Sequence, residues 1–250
     1  MTKNPNQRIE DSLNEVAASY HLGAHDDMFI EEECQRYEVD WIASFVTRST
    51  EVLDLGYGDG INFRELCGRT NLTLIEGASA LVSQAHMQVQ RLGCTARLVH
   101  SLFEEFESSE KFDVINMSHI LEHVENPVDI LRRYKSFIKP GGVLIGIVPN
   151  ANSFHRRLGH LLGLQERRDS LSARDLIVGH RRVYDLTSLG QDLNVAGFEL
   201  SQHRGFFIKT FANSQMLWTT RDQILGLLKL SDEVPTDFCA NIGFVARPLW

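Results

Sequence analysis

Apolar and polar positions follow two different periods along this chain, and the period changes where one element gives way to the next. Continuous apolar runs at Glu51–Leu55, Leu72–Ile75, Thr95–His100, Phe112–Met117 and Val143–Val148 read as strands, since a strand covered on both faces needs apolar side chains throughout. Helical spacing separates them. Ile61–Cys67 forms one such stretch; Leu81, Ala85, Val89 and Leu92 form another, capped by Ser79 and stopped by Gly93. Asn126-Pro127 opens a third, with Leu131, Tyr134 and Ile138 on its inner face and the Pro140-Gly141-Gly142 turn as its stop. Upstream, Ile9–Tyr20 predicts an amphipathic helix and His21–Asp27 a loop. Cys34, Tyr37, Trp41 and Phe45 then fall on one helical stripe, behind Glu31, Glu32 and Glu33 in a first turn where acids favour the dipole. Downstream, the pattern predicts a helix over Asn152–Leu162, an irregular segment over Gly163–Gly179, a helix over Leu186–Ala196 and a strand over Phe198–Ile208. A helix opened by Asn213 and carrying Met216, Leu217, Ile224 and Leu228 precedes a last strand, Ala240–Ala246. Strand–helix alternation of this kind makes a parallel sheet whose ligands lie beyond the carboxyl ends of the strands.

The chemistry concentrates in Val52-Leu-Asp-Leu-Gly-Tyr-Gly-Asp-Gly60, where the first strand meets Gly56, Gly58 and Gly60 at alternate positions before a helix. Glycines there let a ligand lie against the main chain. Asp54 ends that strand and Glu76, 22 positions on, ends the next, the place from which a carboxylate grips a ribose diol. A dinucleotide fingerprint needs G-x-G-x-x-G, but position 61 is Ile and the third glycine comes one residue early.

With those residues in view, the chain resembles the class I methyltransferases that use S-adenosylmethionine, over roughly Glu51 to Phe198 and by element order beyond. The resemblance implies an α/β fold: a seven-stranded, mostly parallel Rossmann-like sheet with an antiparallel last strand and helices on both faces. A helical N-terminal flank (1–48) would precede a methyltransferase domain (49–250) carrying an arginine-rich cap at about 152–184. It also implies cofactor roles: Gly56, Tyr57 and Gly58 toward the methionine part, with Tyr57 standing where the family usually has Cys. Asp54 would take the amino group, and Glu76 with Gly77 the ribose. Ser101, Leu102 and Phe103 would meet the adenine, departing from the acid the family places nearby. S-adenosylhomocysteine would be the product.

After the fourth strand comes His119-Ile-Leu-Glu122-His123-Val, similar to a run lining the cofactor mouth in small-molecule enzymes of ubiquinone and sugar pathways. On that likeness Ser118 and His119 face the cofactor. The same run matches the inverted zinc-protease pattern H-x-x-E-H, but Asn126-Pro127 breaks it after about one turn, so no metal is expected. A hydroxyl acceptor needs a base, for which His119 and His180 are the candidates, with His155 as alternative. Acceptor contacts are expected from Tyr37, His123, Asn150, His155, Arg156, His180, Arg181 and Arg182.

Composition narrows this reading. The 250 residues, 43% hydrophobic, suffice for one core. The net charge of −8 argues against nucleic acid, yet residues 155–182 carry seven arginines against three acids. Arginine forks pair with carboxylates and phosphates, so a small anionic acceptor is expected: a sugar nucleotide, a phosphorylated metabolite or an acid, methylated on oxygen. Nitrogen is the close alternative. The cap's charge could instead pair within the protein or across a homodimer. A nicotinamide oxidoreductase and a non-catalytic S-adenosylmethionine-binding subunit are the readings from other classes. No apolar stretch approaches a membrane span and Met1–Glu10 lacks a signal-like apolar region, which predicts a cytoplasmic protein without membrane partners. Cys34, Cys67, Cys94 and Cys239 show no close spacing and are expected to be reduced.

Overall fold

The computed structural model describes residues 5–18 and 26–250, with side chains from Glu10 onward; the expected loop at His21–Asp27 therefore lies outside the described residues except for its last two positions. The elements in order are α1 (Pro5–Val16), α2 (Met28–Ala43), β1 (Glu51–Leu55), α3 (Ile61–Leu66), β2 (Asn71–Glu76), α4 (Ser79–Leu92), β3 (Ala96–His100), β4 (Phe112–Ser118), α5 (Pro127–Lys135) and β5 (Ile138–Pro149). Then come α6 (Phe154–Leu161), α7 (Ala173–Ile177), α8 (Leu186–Val195), β6 (Phe198–Phe206), α9 (Arg221–Leu230) and β7 (Asn241–Pro248).

The seven strands form one sheet in the order β3-β2-β1-β4-β5-β7-β6. Pairs β1–β2, β1–β4, β2–β3 and β4–β5 are parallel, and β7 runs antiparallel between β5 and β6, so the expected fold class is the observed one. Strand alternation sorts side chains to two cores. Leu53, Leu55, Ile115 and Met117 meet Ile130, Leu131 and Tyr134 of α5 and Leu189 and Leu193 of α8 on one face. Val52, Leu72, Leu74 and Val114 meet Phe63, Leu66, Leu81 and Ile42 on the other. Chain order reverses between β1 and β4, and this gap at the carboxyl edge is where an open parallel sheet binds its ligand.

Several boundaries differ from the sequence pattern for local reasons. Ile138 is not on a helix: α5 ends at Lys135, and Ile138 already pairs with Phe112 in a β5 whose register shifts over the next residues. The Pro140-Gly141-Gly142 stretch is thus an irregular start to a strand. The helix expected from Asn213 is a single turn, Asn213–Gln215, and α9 starts only at Arg221, where Thr220 and Gln223 form a reciprocal capping box. Within the segment read as irregular, Ser172 and Asp175 make the same kind of box and start α7. Phe207, at φ 65°, turns the chain out of β6 before Ile208.

The expectation of four reduced cysteines is corrected. Cys67 and Cys94 form a disulfide with their Cα atoms 5.9 Å apart, while Cys34 and Cys239 are free and buried. The pair is 27 residues apart in sequence, and only the β-α-β winding brings the ends of α3 and α4 together. Thiol titration of the denatured, unreduced chain should therefore find two reactive thiols, rising to four after reduction. On the loop-entropy model, reduction should lower the unfolding free energy by about 3.5 kcal/mol, read as a shift of the denaturant midpoint.

Candidate functional site

Asp54 stands on β1 facing the reversal, with Asn116 of β4 as its Cα partner across the sheet. The Asn116 amide donates to Asp54 Oδ1 at 2.7 Å, and the Ser118 hydroxyl donates to Asn116 Oδ1 at 2.7 Å. This three-residue chain orients a carboxylate that is 1% exposed and whose Oδ2 has no partner. Burial pushes Asp54 up to about 7, against the smaller opposing effect of the Asn116 bond. A buried acceptor left open in this way is completed by a ligand that carries a donor or a positive charge.

Beside it, the glycine turn has three left-handed residues, Gly56 at φ 80°, Gly58 at 53° and Gly60 at 72°. A Cβ on Gly58 would project into open space, whereas one on Gly60 would lie 2.5 Å from the Tyr57 hydroxyl. Tyr57 folds over Gly60 and packs its ring 5.6 Å from Phe63. Its side chain therefore belongs to the core, and its backbone N–H is what it contributes here: it donates to Glu76 Oε2 at 2.8 Å. The Ala78 N–H donates to Glu76 Oε1 at 2.7 Å, so one carboxylate joins the turns after β1 and β2. Gly77 sits under Leu13 of α1 and against Leu102, while Asn14 accepts from the Ala80 N–H at 3.0 Å. Ser101 donates its N–H to Glu76 O at 3.1 Å, and the Tyr134 hydroxyl holds the Phe103 carbonyl. Phe103 and Ile120 close on Gly56 from one side. The structure thus brings Asp54, the glycines, Glu76, Gly77 and the 101–103 segment to one edge.

His119 occupies the end of β4 at φ 57°, a strained position for a residue with a Cβ, fixed by its N–H to Ile147 O at 2.8 Å. Nδ1 lies 3.1 Å from Glu122 and Nε2 3.2 Å from Glu38, both acids almost fully buried. Burial alone would lower the imidazole pKa, but the bonds to Glu122 and Glu38 outweigh it and hold the pKa well above the ordinary value. With both ring nitrogens facing carboxylates the protonated ring is favoured, and neither nitrogen is free for the role of the expected base. Glu38 was not anticipated. It also accepts from Asn241 at 2.7 Å, and its one legible sign was an acid on the apolar stripe of α2, between Cys34 and Trp41.

The cap arginines are mostly bound within the protein. Arg156, 5% exposed, pairs with Asp175 at 2.8 Å and donates to the carbonyls of Arg168 and Ser170. Arg182 donates to the carbonyls of Leu121, Val124 and Glu125, closing the loop after His119. Arg157, Arg167, Arg168 and Arg174 likewise have partners within the chain; Arg181 alone of the seven is exposed with no side-chain partner among the described residues. Asn150, fully buried, donates to Thr236 O and Cys239 O. Tyr37 donates to Asp232 and stacks under Arg204. His155, lowered to about 2 by burial and then by Lys209 and Arg156, is neutral. His180 bonds Asp175 through Nδ1 at 2.9 Å, and its ring meets that of His123 edge-on at 4.7 Å. Of the expected acceptor contacts, His123, His180 and Arg181 keep side-chain atoms available, while Arg156, Arg182, Asn150 and Tyr37 are held by internal bonds. Sequence spacing could not show those partners, which come from segments up to 195 residues away.

Comparison with known proteins agrees with this geometry. The family model described as a methyltransferase domain matches residues 28–203. The chain is 33% identical over 101 residues to a ubiquinone biosynthesis O-methyltransferase of Actinobacillus pleuropneumoniae serotype 7 (strain AP76), a match covering 38% of this chain and 43% of that protein; it thus spans about half the length, or less, of the curated relatives it matches. Among solved structures, magnesium protoporphyrin IX methyltransferase from Synechocystis PCC 6803, with bound SAH, superposes with a TM-score of 0.63 at 13% identity, covering 96% of this chain and 98% of that one. The [4+2]-cyclase SpnF superposes at 0.59 with 15% identity, over 86% and 85%. At such identities the superpositions establish the fold alone. The family match over most of the chain, joined to the strand order and the edge built from Asp54, the glycine turn and Glu76, is decisive: the chain belongs to the class I, S-adenosylmethionine-dependent methyltransferases.

Proposed function

We propose that this protein transfers a methyl group from S-adenosylmethionine to an oxygen of a small acceptor that enters beneath the cap. The observation that carries the reading is the orphaned, buried Oδ2 of Asp54 beside the open face of Gly58: a carboxylate lacking a donor, next to a main chain that a ligand can touch, fits the ammonium-bearing end of that donor. Glu76, the anchor of two backbone amides, ends β2 at the place from which a carboxylate grips a ribose diol. When bound, S-adenosylmethionine supplies a methyl on a sulfonium that is already a good leaving group. The chain's own part is to align an acceptor oxygen and exclude water. Ile120 and Phe103 wall the turn, and α1 covers Gly77 through Leu13.

Oxygen is favoured by the name of the curated relatives. Anionic character rests on a narrower base than the count of cap arginines suggested, because six of the seven have partners within the chain; Arg181 is the remaining cation. His119, with both ring nitrogens engaged by acids, serves to fix the loop, so no proton transfer is assigned to it. A second reading, adenosyl binding without methyl transfer, stays open because one fold hosts unrelated chemistries.

Calorimetric titration with S-adenosylmethionine and S-adenosylhomocysteine should show binding that falls by roughly 10- to 100-fold in Glu76→Ala, the loss of hydrogen bonds to a charged group, with a thermal melt confirming that the variant is folded. Preference for NADH would overturn the reading. Affinity for the cationic donor should also depend on pH. Asp54 binds it as the carboxylate, and its pKa in the free protein is about 7, so binding weakens as pH falls through that value. Between pH 8 and pH 6 the loss should be about tenfold, and Asp54→Asn should flatten the profile. With an anionic hydroxylated acceptor, Arg181→Ala should raise KM with little change in melting temperature. Arg182→Ala should instead lower stability by about 2 kcal/mol as its carbonyl partners go unsatisfied. No KM effect from Arg181→Ala would remove the argument for an anionic acceptor.

A further inference from the structure

A second centre lies next to His119, made by residues that the methyl-donor site does not use. Loop 119–125 and the strand-like segment after α7 are pinned together: the Arg181 N–H donates to Glu122 O at 2.7 Å, and Arg182 ties the same loop. This brings His180 of the cap against His123. A carboxylate oxygen of Glu122 and ring nitrogens of His123 and His180 all lie within 4.8 Å of one another.

Each ligand is prepared for a cation. Glu122 is 0% exposed; Oε1 is held by His119, while Oε2 is buried without a partner. His180 is oriented through Nδ1 by Asp175, which is itself clamped by Arg156 at 2.8 Å and Ser172 at 2.6 Å. A carboxylate on one ring nitrogen, with the other free, is the outer-shell arrangement of metal-bound imidazoles. The His123 ring is set against that of His180, edge-on with centroids 4.7 Å apart, so both imidazoles face the Glu122 carboxylate. Ligands about 2.0–2.2 Å from one ion lie about 3–4 Å apart, against the 4.8 Å within which these three atoms lie.

We propose that Glu122, His123 and His180 bind one divalent first-row transition ion, leaving coordination positions open toward the carboxyl edge of the sheet. Two imidazoles and one carboxylate favour zinc, cobalt, manganese or iron(II) over magnesium, which prefers all-oxygen shells and keeps its waters. The ligand set differs from the H-x-x-E-H reading that the sequence had argued against. That reading needs His119 and His123 on one long helix. Here His119 is engaged by two acids, and its place is taken by His180 from a segment 57 positions downstream of His123.

The test uses the untagged full chain, stripped with a chelator and titrated with Co2+ while its visible absorption is followed; Zn2+ and Mg2+ are then added as competitors. One Co2+ per chain, displaced by Zn2+ but not by Mg2+, is the expected result, with affinity lowered by ~10- to 100-fold or more in both His123→Gln and His180→Gln. Asp175→Asn leaves the three ligands in place and weakens the support of His180, along with the Arg156 pair and the Ser172 box; provided a thermal melt shows it folded, it should lower affinity to a smaller degree. S-adenosylhomocysteine binding by each variant reports whether the fold survives. If a variant does not fold, the wild-type stoichiometry and histidine NMR signals that broaden on adding Co2+ decide the matter. No Co2+ or Zn2+ binding by wild type, or equal binding by the folded variants, overturns the proposal. The readout needs neither methyl donor nor acceptor, so metal binding without adenosyl binding would defeat the methyltransferase reading and leave this one standing.

Discussion

The architecture turns on a carboxylate that folding buries and only half pairs. Asp54 enters the interior because β1 lies between β2 and β4, and each neighbouring strand removes water from one side of it. Asn116 satisfies one oxygen, and nothing in the described chain satisfies the other. An isolated carboxylate in such a place raises its own pKa rather than remain charged. The fold therefore carries a cost at this carboxylate, which on the proposed function a cationic ligand would relieve.

Glu76 makes a different use of the same chemistry. Its oxygens join the Tyr57 and Ala78 amides, so the turns after β1 and β2 form one unit, roofed by α1 through Leu13 and Asn14. The N-terminal helix is thereby coupled to the turns at the carboxyl edge of the sheet. Tyr57 shows how local substitution is accommodated: its ring crosses Gly60, where any side chain would collide with it, and turns into the core beside Phe63.

In the cap, buried charge organises rather than recruits. Arg156, Asp175 and His180 form a linked series reaching from α6 through α7 to the His123 ring, and Arg182 fastens that series to the loop after β4. Interactions of this kind contribute modest net stability because both partners lose water, yet removing one partner leaves a buried charge exposed to none. They set position. The outcome is a rigid edge on which His119, Glu122, His123 and His180 face one another from two distant segments.

Local periodicity and turn chemistry suffice to read five parallel strands, most helices, the glycine turn and the two acids at strand ends from the order of residues alone. Those features depend on residues near each other in the chain: alternation sorts a strand, a helical stripe selects a face, and a glycine is needed where φ is positive. Helix starts at Ser172 and Thr220 were equally local, written in S-x-x-D and T-x-x-Q spacing, but lay within segments lacking a strong apolar period. Pairings across long separations, by contrast, arise only once the chain is folded. Cys67 found Cys94, Glu38 found His119, and the cap arginines found carbonyls and acids of their own chain. A side chain's ionisation and availability depend on what surrounds it after folding. The same arginines that read as anion receptors from charge alone are therefore mostly struts, and the histidine that reads as a base has both ring nitrogens engaged by acids.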